Sequence, residues 1–141
     1  MNTHIDTVTI SHEAALDAVR ASIEAGAAIG VPVSATVVDP ALGLVAYARA
    51  DRTPPHSIET SRRKANTAAS TRRPSGWMQG DFAVGLPLGT GNLLTNIRGG
   101  VPISFGGTLV GGLGIAGGTP DQDIEIATAV LVAIGADSLP G

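Results

Sequence analysis

The sequence predicts an α+β fold: an α/β/α sandwich around a five-stranded antiparallel sheet, in a single domain covering residues 1–141. Three observations predict it. Two pairs of strand-like segments are each joined by a short turn, and strands joined in hairpins pair antiparallel. Helical segments stand before, between and after those hairpins, so both faces of the sheet have a cover. The chain is 43% hydrophobic but only 3% aromatic, so its core is built from Ala, Val, Ile and Leu. Elements with such small side chains approach closely.

Taken in order, residues 12–29 read as the first helix. Ser11 is suited to the N-cap, Glu13 to the first turn, and Leu16, Val19, Ile23 and Ala27 recur at helical spacing. Gly30 stops the helix and Pro32 prevents its continuation. The strands "VSATVVD" and "LVAYARA" follow, with Pro40, Ala41, Leu42 and Gly43 between them. "DRTPPHS" is a loop stiffened by Pro54 and Pro55, and Ser57 is placed to cap a second helix running to Thr71. Residues 75–98 are irregular and glycine-rich, with a short helix and a fifth strand near "LLTNI". An excursion of that length in a small domain points to function or mobility.

"VPISF" and "TLVGGLGIA" flank Gly106 and Gly107, a pair suited to the positive φ angles of a type I′ turn. Read with period two, Leu109, Gly111, Leu113 and Ile115 share one face. Thr108, Val110, Gly112, Gly114 and Ala116 share the other, which is nearly bare backbone. The last helix begins with a capping box, Thr119 with Gln122, and has Pro120 at its first position. Asp121 and Asp123 complement the helix dipole, and Ile124, Ala127, Leu131 and Ile134 form its apolar stripe.

Composition removes several classes of function. A net charge of −3 argues against general nucleic-acid binding, which depends on many phosphate-neutralising cations. The absence of cysteine excludes disulfides, thiolate catalysis and zinc–sulfur sites. No signal peptide is visible and no apolar run reaches the roughly 18 residues of a membrane span, so a cytoplasmic location is expected. A subunit so poor in charge is expected to form a homo-oligomer.

"GGLGIAGG" contains Gly-x-Gly-x-x-Gly at Gly112, Gly114 and Gly117. Two of those glycines lie inside a strand and no suitable acidic residue follows, so the pattern is no dinucleotide fingerprint. Two compatible readings remain for the bare face. It lets a helix or a neighbouring subunit pack closely, or it stays open as the floor for a flat ligand, which makes Gly112 and Gly114 candidate ligand-binding residues.

Cations and histidines supply the other candidates. Lys64, the only lysine, sits on a helix with apolar neighbours. A partly buried ammonium needs a carboxylate or an anionic ligand, and Asp51 and Glu59 are the nearby carboxylates. Arg49, Arg52 and Arg98 could join Lys64 in holding an anionic group, whereas Arg62 and Arg63 read as a solvated face. His12 opens the first helix, where it either turns inward as an axial ligand or meets solvent. His56 lies between a Pro-Pro corner and a helix start, a place where chemistry is commonly displayed.

The first helix, "GVPVSATVVDPALGLVAYARAD", "SIETSRRKANTAAS" and "GGVPISFGGTLVGGLGIAGGTPDQDIEIA" together resemble the GlcG/HbpS haem-binding family, which includes the C-terminal domain of PduO-type proteins. The resemblance covers most of residues 7–136. It falls on Asp39, Gly43, Arg49, Asp51, Lys64, Thr67, Gly99, Gly100, Pro102, Gly107, Gly112, Gly114 and Asp123. It implies a profilin-like sheet flanked by helices, assembled into dimers or larger oligomers up to octamers. It also implies haem or another tetrapyrrole as ligand, with roles in haem sensing or redox response, and it places one mode of axial ligation on His12.

The chain departs from the family where "RADRTPPHS" replaces the usual Arg-Met-Asp-Gly-Ala, and in the excursion that carries Trp77. Those departures motivate an alternative: an isomerase, cyclase or lyase acting on a small anionic organic substrate. In it His56 is the general acid/base, Asp51 orients a partner, and Arg49 with Lys64 clamps a carboxylate.

Overall fold

The computed structural model describes residues 1–140. Its elements in chain order are α1 (His12–Ala28), β1 (Ser34–Val38), β2 (Leu44–Arg49), α2 (Ser57–Thr71), α3 (Phe82–Gly89), β3 (Gly100–Phe105), β4 (Thr108–Ala116) and α4 (Pro120–Ala133). The strands form one antiparallel sheet in the order β2-β1-β4-β3. Helices α1 and α4 cover one face and α2 alone covers the other. The expected α+β sandwich is present.

The caps explain two of the helix starts. Ser11 accepts from the Ala14 amide, and Thr119 and Gln122 form the reciprocal capping box. Ser57 does not cap α2. Its hydroxyl donates to the Pro54 carbonyl at 2.6 Å and pairs with Ser34 Oγ at 2.7 Å, so it ties the helix start to β1 instead. Gly106 and Gly107 turn the second hairpin at φ 59° and 81°. Both of their amides donate to the Asp137 carboxylate, at 3.0 and 2.7 Å.

The two sheet faces differ in kind. Toward α1 and α4, Ala35, Val37, Val101, Ile103, Leu113 and Ile115 are fully buried. They pack with Ala15, Ala18, Val19, Ile126, Ala127, Val130 and Leu131 into the main core. Toward α2 the sheet presents Ser34 and Thr36, which bond Ser57 and Ser61, and the glycines. A Cβ built on Gly114 would lie 1.9 Å from the Ser61 carbonyl oxygen; on Gly112, 2.4 Å from that of Ala65; on Gly100, 2.2 Å from that of Lys64. Real Cβ atoms never approach so closely. The bare strand face is therefore occupied by the backbone of α2.

Other expectations also need correction. The sheet has four strands among the described residues, and the fifth, expected near residues 93–97, is absent. That segment spends its backbone groups on helix side chains: Asn66 Nδ2 donates to the Leu93 carbonyl, Thr67 Oγ1 donates to that of Thr95, and the Thr95 amide donates back to Thr67. A segment bonded in this way has no free edge to offer a strand.

Of the α1 residues that recur at helical spacing, Val19 is buried, Ile23 is half-buried, and Leu16 and Ala27 are exposed; the small residues Ala15, Ala18, Ser22 and Gly26 turn inward with Val19. A Cβ on Gly26 would meet the Val31 carbonyl at 2.5 Å, so the side that approaches the chain must be the small one. Leu16 is left 51% exposed. Likewise, α4 buries Ile126 and Val130 more fully than Ile124 and Ile134.

Candidate functional site

Lys64 and Asp123 form the centre of one end of the molecule. Lys64 Nζ donates to Asp123 Oδ2 at 2.9 Å and to the Ile115 carbonyl at 2.8 Å, and both side chains are 2% exposed. Asp123 Oδ1 in turn accepts from the Gly118 amide at 2.9 Å. Burial pushes the Lys64 ammonium below its ordinary range, and the attraction of Asp123 opposes that shift. The carboxylate that meets Lys64 is thus Asp123, on a helix remote in sequence, and neither Asp51 nor Glu59. Its charge is matched within the protein.

A cleft of about 280 Å³ opens beside this pair, lined also by Pro54, His56, Thr60, Ile97 and Pro120. His56 stands exposed at its mouth. Asp51, Arg49 and Arg52 are exposed and do not line the cleft. Arg52 holds a left-handed backbone at φ 68°. Arg98 pairs with Asp121 at the exposed start of α4. The cation cluster expected around a vacant sheet floor is therefore dispersed. Gly112 and Gly114, covered by α2, present no surface to a flat ligand; they serve close helix packing, the other reading of the bare face.

A different surface has the character that floor was expected to have. Leu16, Val19, Arg20 and Ile23 of α1 face Tyr47 and Ala48 of β2 across an open, largely apolar groove of about 400 Å³. β2 is an edge strand, and no described residue pairs with its outer side. His12, the first residue of α1, lies one turn before Leu16 on the same helix face, exposed, and its imidazole makes no hydrogen bond among the described residues. Tyr47 is held by its hydroxyl, 3.3 Å from Ser34 Oγ.

The sequence shows Leu16, Val19 and Ile23 recurring at helical spacing but does not show the groove they line. The available signal was width: α1 carries Ala15, Ala18, Ser22 and Gly26 on one stripe and Leu16 and Ile23 beside it, more apolar surface than one sheet face needs.

A family model described as haem degrading protein HbpS-like matches residues 10–132. The chain belongs to the HbpS-like family. Its fold is shared, over 94% of this HbpS-like chain and 100% of the other, with the crystal structure of a PduOC–haem complex, at 28% identity and a TM-score of 0.86. A double mutant of HbpS from Streptomyces reticuli is 30% identical, with 92% of this chain and 90% of that one covered and a TM-score of 0.80. Protein ORFY of Klebsiella pneumoniae is 26% identical over 98% of this chain and 99% of its own, with a TM-score of 0.86. No curated protein sequence is significantly similar. No helix among the described residues is long and apolar enough to cross a membrane.

Proposed function

We propose that this HbpS-like chain binds haem in the groove between α1 and β2. Haem requires an apolar surface, cations for its propionates and an axial atom. The groove meets each requirement. Leu16, Val19, Ile23 and Ala48 provide the apolar wall, Arg20 provides a cation beside Glu24, and His12, one turn away, provides an imidazole with a free ring. The glycine face of the sheet does not fit, because α2 fills it.

One observation carries the reading: an exposed apolar groove begins one helical turn from a histidine, in a chain that shares its fold with a haem complex over 94% of its length. Bound haem would supply a redox-active iron, which suits a role in haem sensing or redox response. The groove is open on one side, and a second copy of the chain would roof it. A homo-oligomer, from dimer to octamer, is the assembly proposed.

The alternative, an isomerase, cyclase or lyase for an organic anion, has less support. His56 reaches a cleft, but Asp51 does not line it and Lys64 is already neutralised by Asp123. Titration with hemin tests the two readings. The haem reading predicts a Soret band that shifts on binding, at least about tenfold weaker binding in His12→Ala, and no change in His56→Ala. Equal binding by the wild-type chain and His12→Ala would remove His12 from the site.

A further inference from the structure

A second cleft, of about 370 Å³, lies on the outward face of α2, where the helix meets the turn that follows α3. Glu59, Arg62, Arg63 and Asn66 line it from the helix; Asn92 and Leu93 line it from the turn. The helix residues fall on successive turns, three or four positions apart, and so share one face. Neither arginine lies within 4.0 Å of a carboxylate among the described residues, although Glu59 is one turn away from both.

Asn66 is 1% exposed, and its Oδ1 is the one buried side-chain polar atom among the described residues with no hydrogen-bond partner. The orientation of the amide is fixed chemically. Nδ2 donates to the Leu93 carbonyl at 3.1 Å, and a carbonyl only accepts, so the oxygen must lie on the other side. A buried acceptor without a donor is unfavourable unless something brings one.

We propose that this cleft binds a small amino-acid zwitterion. The two guanidiniums hold its carboxylate, for which their planar forks are suited. Its ammonium donates to Asn66 Oδ1, and the negative charge of Glu59 favours an ammonium there over a neutral hydroxyl. Oδ1 is shielded from solvent, so entry requires the lining side chains to shift. The turn holds Gly91 and Asn92 at positive φ, 64° and 61°, and places the Leu93 carbonyl against Asn66. The site is separate from the haem groove and does not rest on it.

The test is an NMR titration of the full chain with L-alanine, lactate and acetate, each up to about 20 mM. The expected result is a saturable shift of the Asn66 side-chain amide with alanine, at least tenfold tighter than with lactate or acetate. The double variant Arg62→Ala/Arg63→Ala should weaken alanine at least tenfold and leave the hemin titration unchanged. These arginines lie on the surface side of α2, so the variant is expected to fold. No saturable shift, equal affinity for acetate or lactate, or an ordered water on Oδ1 that alanine does not displace would each overturn the proposal.

Discussion

Replacing Gly114 by alanine asks whether the bare strand face exists to receive α2. The new methyl group would stand 1.9 Å from the Ser61 carbonyl oxygen and 2.6 Å from the Ala65 amide nitrogen. Ordinary van der Waals contact begins near 3.4 Å, so helix and strand must separate by about 1.5 Å. Both obstructing atoms are backbone, and no side chain can swing aside to make room. The Thr36–Ser61 hydrogen bond, 2.8 Å long, ties the same turn of α2 to the sheet and would be strained with it.

Overpacking of this kind costs about 1–3 kcal/mol, and a backbone collision belongs at the upper end or beyond. A loss of about 3 kcal/mol would lower the melting temperature by roughly 10 °C for a domain of this size. Urea denaturation followed by circular dichroism reads the effect directly. Gly112→Ala and Gly100→Ala should behave similarly. Gly85→Ala is the control, because its added Cβ meets nothing within 4 Å and alanine is the better helix former. It should be neutral or stabilising by up to about 1 kcal/mol. A Gly114→Ala chain with wild-type stability would refute the packing argument and return the glycines to the role of an open floor.

The Lys64–Asp123 pair gives two more predictions. Lys64→Met or Asp123→Leu alone should cost about 3–5 kcal/mol in urea titration, because each leaves a buried charge unpaired, while the double variant should lie near wild type. Because burial lowers the Lys64 pKa, the unfolded chain holds the Lys64 proton at alkaline pH values where the folded chain has lost it. The stability of wild type relative to Lys64→Met should therefore rise with pH toward 10.5, the ordinary value for lysine, and a fall would reverse the assigned direction. Asp137→Ala removes the acceptor for both turn amides of the second hairpin, and should lower stability by about 1 kcal/mol with no effect on hemin binding.

Much of this fold was legible in the sequence because its signals are local. Ser11, the Thr119–Gln122 box and the Gly106–Gly107 turn each act within a few residues, and each stands where the pattern placed it. What was not legible depends on distant pairing. The strand expected at residues 93–97 has adequate propensity, but Asn66 and Thr67 claim its backbone groups from another helix. Lys64 announced its need for a carboxylate, yet the one that answers lies 59 residues away on α4. The glycines of β4 announced a close approach without saying what approaches. Only the placement of α2 decides between a packed helix and a ligand, and the same rotation of small residues inward on α1 is what leaves Leu16 outside.

The most direct measurement is the position of the iron in a crystal of the hemin-loaded protein, located by its anomalous scattering. A peak within bonding distance of the His12 imidazole, beside the groove lined by Leu16, Ile23 and Tyr47, is the expected result. Iron found between α2 and the glycines of β4, or beside His56 and Lys64, would contradict it.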